Sequence, residues 1–286
     1  MKSYRLNEFF RHLFVLRKAL LHRFYSTRNK AKQQVVFIAG VQRSGTNMMM
    51  DVLERSYETD VYHERDNRAF KNYQMRDLNV IRDLLANSHA PYFIIKALCE
   101  LHDLDQLMDA MTIDSDRPAK IVWVNRHFYD VVNSMLVSFK NQSEQVKRIA
   151  KSRNNAWLSK GFSEENYKTF QTLVHEDISN ASAAALIWYF RSQLFFELGF
   201  DTNPRVQLVQ YEKLVTDPQT EFPRIFNFIG LDYSDRVSGK VFGSSVRRRS
   251  PPEIDAAIVD LCESLMPRFA EVVERQCAHF LDKNNE

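Results

Sequence analysis

At 286 residues, 44% of them hydrophobic and 26% charged, the chain can bury one sizeable core, and no composition shift divides the part after residue 32. The formal charge of +3 hides an asymmetry, because residues 2–32 carry nine Lys or Arg against the single acidic Glu8 and leave the rest near −5. A mildly acidic body excludes general binding along a nucleic-acid backbone and confines any polyanion site to a focused pocket.

Cys99, Cys262 and Cys277 are odd in number and lack C-x-x-C spacing, so neither a disulfide framework nor a zinc cluster is indicated. A reducing, cytoplasmic location is the expectation. No apolar run reaches the length of a spanning helix, and charges interrupt the apolar pieces near the N-terminus.

The chain opens with a basic amphipathic segment, residues 1–32. At helical spacing Leu6, Phe9, Phe10, Leu13, Leu16, Leu20, Leu21 and Phe24 share a face, Arg17 interrupts it, and Arg5, Arg11, Lys18 and Arg23 lie off it. Two readings stand for residues 4–24: peripheral contact with an anionic membrane, or a helix packed on the domain.

From residue 33 to 286 short β-rich runs alternate with helical patterns, which predicts one α/β domain of three layers, α/β/α, around a central parallel sheet. Strands are expected at 35–39, 60–64, 92–96, 120–125 and 205–209. Helices are expected at 45–56, 67–87, 101–111, 129–140, 181–198 and 218–229, the last between Pro218 and Gly230, with a final one from Pro251. Residues 141–180 are polar and read as an insertion over the sheet edge, either a lid or a plain surface excursion.

The segment VVFIAGVQRSGTNMMMDVLE is an apolar strand, a turn bounded by Gly40 and Gly45, and a helix beginning at Thr46 and Asn47. Such a turn offers backbone N–H groups to an anion. A nucleoside-triphosphate loop would carry lysine where Thr46 stands; here the cation is Arg43. The R-S-G-T-N sequence resembles the 5′-phosphosulfate loop of sulfotransferases that use 3′-phosphoadenosine 5′-phosphosulfate (PAPS), a family with a P-loop nucleoside-triphosphate-hydrolase-like fold. The resemblance implies donor contacts at Arg43, Ser44, Gly45, Thr46 and Asn47.

The partner for the donor's other phosphate lies in IVWVNRHFYDVVNSMLVSF, where a strand ends at Asn125, Arg126 follows, and Asp130 and Ser134 share a helix face. R-x-x-x-D-x-x-x-S resembles the family's 3′-phosphate motif, which implies that Arg126 and Ser134 hold that phosphate. Arginine suits phosphate because its planar fork presents paired N–H donors. Asp130 would repel it and is read as orienting Arg126 or capping the helix. A third stretch, VQLVQYEKLVTDPQTEFPRIFNFIGL, resembles the run that follows in many sulfotransferases; Tyr211 either stacks near the adenine or anchors the core. In GSSVRRRSPP, Ser245, Arg247 and Arg249 either close the donor site or form a solvated basic turn.

Lys96 ends the apolar run YFIIK, where burying a lysine is costly unless its head reaches a site or solvent. The family often places its catalytic lysine there. The histidine that cytosolic small-molecule members carry two residues later is replaced by Leu98, so the base is sought elsewhere: Glu64 first, then His63, then His102. Sulfuryl transfer from PAPS to a hydroxyl acceptor, with glycan, lipid-linked sugar or tyrosine favoured, is the expectation, and the scheme requires no metal. A P-loop nucleotide kinase and a non-catalytic phosphonucleotide-binding module are the alternatives.

Overall fold

In the computed structural model, which describes residues 13–14, 16–18, 20–22, 33–112, 117–153, 157–239, 241 and 249–284, the apolar run after Gln33 forms strand β1 (Gln34–Ala39) with every residue buried. Successive side chains of a strand point to opposite faces, so a run apolar throughout must be covered on both. Val35, Phe37 and Ala39 enter one core, and Val36 and Ile38 enter another.

In chain order there follow helix α1 (Thr46–Glu54), strand β2 (Thr59–Tyr62), a hairpin of β3 (Phe70–Lys71) and β4 (Gln74–Met75), and helix α2 (Leu78–Asn87). Next come β5 (Tyr92–Ala97), α3 (Leu104–Ala110), β6 (Lys120–Asn125), α4 (Phe128–Ser138), α5 (Gln142–Lys151), α6 (Glu164–Leu173) and α7 (Asn180–Glu197). The described chain closes with β7 (Val206–Gln210), α8 (Tyr211–Thr216), α9 (Pro218–Ile229), α10 (Asp235–Ser238) and α11 (Ala256–Asn284).

Five strands form one parallel sheet in the order β2-β5-β1-β6-β7, with Ala39 level with Ala97 on one side and Trp123 on the other. On one face α1, α8 and α9 bury Met49, Leu53, Leu214, Phe222 and Phe226 against Val36, Ile38, Ile94 and Val122. The other face is covered by α4, α7 and α11, where Phe128, Trp188 and Phe269 join Phe37, Ile95 and Trp123. Trp123 meets Phe195 edge-on with ring centroids 5.3 Å apart, a geometry that adds about 0.5–1.5 kcal/mol beyond the area it buries. The expected three-layer α/β/α fold is present. All five strands point the same way, so the segments that leave them gather along one edge, where ligands of open parallel sheets bind.

Four expectations are corrected. A helix over 67–87 is wrong in its first half: β3 and β4 form a hairpin whose two turn residues, Asn72 and Tyr73, both have positive φ (52° and 65°), the requirement of a type I′ turn. The strand expected at 60–64 ends at Tyr62, which leaves His63 and Glu64 beyond the sheet edge. Residues 141–180 are not an insertion over the sheet edge; α5, α6 and the turn before α6 bury Val146, Ile149, Phe162 and Phe170 in the core that α7 shares, so this stretch packs on a helix. The last helix begins at Ala256, after an extended run from Pro251.

Candidate active site

Gly40 and Gly45 shape the loop after β1. A Cβ at Gly40 (φ 139°) would sit 2.3 Å from the Val124 carbonyl oxygen, and one at Gly45 (φ 105°) would sit 2.2 Å from Cδ2 of Tyr211. Only glycine permits both the close approach and the backbone conformation. Arg43 itself has φ 70°, a left-handed conformation costly for a non-glycine residue, of the kind concentrated at functional sites. Ser44 is buried, and its hydroxyl donates to the Val41 carbonyl at 2.6 Å, which tightens the turn from inside.

Two adjoining cavities open along the sheet edge. The first, about 200 Å³, is lined by Arg43, Thr46, Asn47, Glu64, Lys96 and Leu98 among others, with Gly45, Arg126 and Ser134 completing its wall. The second, about 320 Å³, is lined by Arg43, Arg126, Asp130, Asn133, Ser134, Val137 and Arg249. Arg43, Arg126 and Ser134 belong to both, and they hold one another: Arg43 Nε donates to Ser134 Oγ at 2.9 Å, and Arg126 Nη1 donates to the Arg43 carbonyl at 3.3 Å.

Two further neighbours set Arg126. Asp130 lies 3.7 Å from its Nη2, one helical turn on, and the Tyr211 ring lies 4.4 Å below its guanidinium carbon. Tyr211 is buried beneath Arg126 and Gly45, where it supports the floor, and it is not part of the lining of either cavity. Its neighbour Glu212 accepts the His127 N–H at 3.0 Å and ties the segment after β7 to the one after β6. His127 caps α4, its side chain accepting from the Tyr129 N–H at 3.3 Å.

Lys96 is 1% exposed, and its ammonium donates to Asn47 Oδ1 and pairs with the Glu64 carboxylate. Burial pulls its pKa below the usual lysine value, and Glu64 pulls the other way. Lys96 thus reaches a site rather than solvent. His63 and His102 line neither of these two cavities; His63 Nε2 lies 3.7 Å from Glu54, and His102 Nε2 lies 2.8 Å from Asp103. Asp51, Glu54 and His63 each place a ligand atom within 4.8 Å of the others, outside the lining of both cavities. Of the basic turn, Arg249 lines the second cavity; Ser245 and Arg247 lie outside the described residues.

Sequence reasoning missed Arg191. It is 1% exposed on α7 and donates to the carbonyls of Leu98 at 2.8 Å and Trp157 at 3.2 Å, holding the segment after β5 against the turn before α6. Burial lowers its pKa to about 10. The signal was present as one arginine inside the apolar helical run ALIWYFRSQLFFE.

A strand–glycine loop–helix unit, a second cationic segment beside it and a buried lysine thus stand together at one edge of an α/β sheet, an arrangement suited to an anionic ligand. The chain belongs to the sulfotransferase family: the sulfotransferase domain matches residues 33–246. It therefore transfers sulfuryl groups, and the kinase and binding-module readings fall. Among solved structures it is similar to the sulfotransferase domain from the curacin biosynthetic pathway, at 13% identity and a TM-score of 0.50, over 82% of this chain and 97% of that one. The sulfotransferase domain of the Synechococcus PCC 7002 olefin synthase aligns at 18% identity and a TM-score of 0.46, over 87% and 96%. Mouse sulfotransferase SULT7A1, solved with PAP, aligns at 16% identity and a TM-score of 0.40, over 83% and 73%. No curated protein sequence matches this chain.

Proposed function

We propose that the donor is PAPS, that its two charged ends lie on either side of the Arg43–Ser134–Arg126 wall, and that the acceptor is a hydroxyl of a glycan, a lipid-linked sugar or a tyrosine. The observation that carries this is the sharing of those three residues by two cavities of about 200 and 320 Å³. One polar wall with two arginines suits a molecule carrying anionic groups at two places. The loop from Gly40 to Asn47 takes the phosphosulfate; Arg126 and Ser134 take the 3′-phosphate, and Arg249 borders that second space.

In the reaction the acceptor oxygen forms a bond to sulfur while the bond from sulfur to the bridging phosphate oxygen breaks. Charge gathers on that bridging oxygen as PAP leaves. Lys96 has three N–H donors, of which Asn47 and Glu64 engage two, and the third is available to the leaving oxygen. The acceptor proton goes to the Glu64 carboxylate, which lines the first cavity beside Lys96. Leu98 lines the same cavity and offers no proton acceptor. Positioning and charge neutralisation supply most of the rate enhancement in such transfers, and this scheme needs no metal ion.

The test is calorimetric titration of the full-length protein with PAP, with ATP as comparator and magnesium chelated. PAP binding that Arg43→Ala and Arg126→Ala each abolish supports the donor site, and transfer from labelled PAPS to panels of glycan, lipid-linked and tyrosine acceptors then identifies the acceptor. Well-folded protein that fails to bind PAP rejects the reading.

A further inference from the structure

Residues 13–14, 16–18 and 20–22 are helical and dock on the domain by the side that carries lysine. Phe14, Lys18 and His22, spaced at i, i+4 and i+8, form the docked face. Phe14 packs on Tyr57 with ring centroids 4.8 Å apart. Lys18, 7% exposed, donates to the Glu54 carbonyl at 2.9 Å and to Thr59 Oγ1 at 3.0 Å. His22 Nε2 meets the Tyr57 carbonyl at 2.9 Å. The buried lysine is held by the end of α1 and the start of β2, so the helix is fixed to the framework that carries the donor loop.

Leu13, Leu16 and Leu20, at i, i+3 and i+7, lie on the opposite side, exposed by 41%, 62% and 58%, with Leu21 at 39% on their flank. A helix that buries its lysine and exposes its leucines has not used its apolar face to complete the core. Arg17 is exposed and, at helical spacing, falls between Leu13 and Leu21 on that face. Residues 2–32 carry nine Lys or Arg against one Glu, while the remainder of the chain is near −5. A cluster of exposed apolar side chains within a strongly basic segment is the feature of an interaction surface.

We propose that this leucine face docks on an anionic lipid bilayer, with Leu13, Leu16 and Leu20 entering the headgroup–acyl boundary and the basic charge of the segment favouring acidic headgroups. Charge selects this occupant: the excess of eight positive charges sits in the segment that holds the leucines, and a bilayer bearing acidic lipids is complementary to both features at once. A second copy pairing leucine face on leucine face would bring two basic segments, each with an excess of eight positive charges, against one another. The surface is separate from the donor cavities, so this inference does not depend on the donor's identity.

Co-sedimentation of the full-length protein with vesicles of phosphatidylcholine, alone and mixed with phosphatidylserine, tests it. The expected result is retention on the mixed vesicles only, weakened by added salt, and reduced about tenfold or more in Leu16→Asp/Leu20→Asp. Arg17→Glu, a charge reversal on the exposed face, reduces retention severalfold. Both variants keep the wild-type melting temperature, because the replaced side chains face outward. Failure of the wild type to sediment with the mixed vesicles, or equal retention of the aspartate variant, overturns the proposal. A dimer in light scattering that the aspartate variant dissolves, without vesicle binding by the wild type, assigns the face to a second copy instead.

Discussion

Arg43 donates through Nε to Ser134 Oγ over 2.9 Å, so the loop after β1 and the helix after β6 meet at a hydrogen bond that both cavities share. Ser134→Ala removes one phosphate donor and also frees Arg43 to move. Its PAP affinity is expected to fall about tenfold, the scale of one charge-assisted hydrogen bond. Arg126→Ala removes a guanidinium held over Tyr211 and is expected to cost about a hundredfold or more. Calorimetry gives both values, and saturating PAPS should recover most of the Ser134→Ala turnover.

Glu64→Gln separates proton transfer from donor binding. Turnover is expected to fall about 10²- to 10⁴-fold, the range for loss of a general base, while PAP affinity at neutral pH stays within about threefold. A second readout concerns Lys96. Burial lowers its pKa and the Glu64 carboxylate raises it, so removing that carboxylate lowers it further. The charged ammonium is then lost at a lower pH, and the alkaline decline in PAP affinity begins earlier in Glu64→Gln than in the wild type. Titrations from neutral pH upward measure this, and an unmoved decline would show that the two groups are not coupled.

Gly45 and Gly199 form a matched comparison. Both have positive φ, 105° and 66°, but a Cβ at Gly45 would strike the Tyr211 ring at 2.2 Å whereas one at Gly199 meets nothing within 4 Å. Gly199→Ala should cost about 1 kcal/mol and leave PAP binding intact. Gly45→Ala should lower the melting temperature further and abolish PAP binding, because the ring that must give way also supports Arg126.

Arg191→Met leaves the carbonyls of Leu98 and Trp157 without their buried donor. The expected loss is about 2–4 kcal/mol, read as a lower midpoint in urea. Leu98 lines the first cavity, so the acceptor KM should rise while PAP affinity does not change. Equal losses of both would point to general loosening.

What could be read from the sequence followed the strength of local patterning. The run VVFIA is apolar at every position, and β1 occupies Gln34–Ala39 as expected to within one residue. Gly40, Arg43, Gly45 and Arg126 were found because a bend with positive φ and an anion site demand particular residue types. The β3–β4 hairpin was missed because two-residue strands carry no periodicity, and Asn72-Tyr73 lacks the glycine that usually marks such a turn. The helices of 141–180 were missed because their apolar residues are few, and they pack on α7, the helix that follows them. The sequence showed that Lys18 lies off the apolar face of its helix but not which face meets the domain; hydrogen bonds to Glu54 and Thr59 turn the lysine side inward.

The strand order β2-β5-β1-β6-β7 gives the sheet edge a left and a right. Lys96 and Glu64 arise from β5 and from the segment just after β2, on one side of β1; Arg126 and Tyr211 arise from the ends of β6 and β7, on the other. On the proposed reading the nucleotide occupies the β6 side and the sulfuryl group departs towards β2. Acceptor preference is then written chiefly in residues before about 112 and donor grip chiefly in those after 125, with the β1 loop common to both. Exchanging the β2–β5 segment with that of a relative should redirect the enzyme to a new acceptor without retuning its hold on the donor.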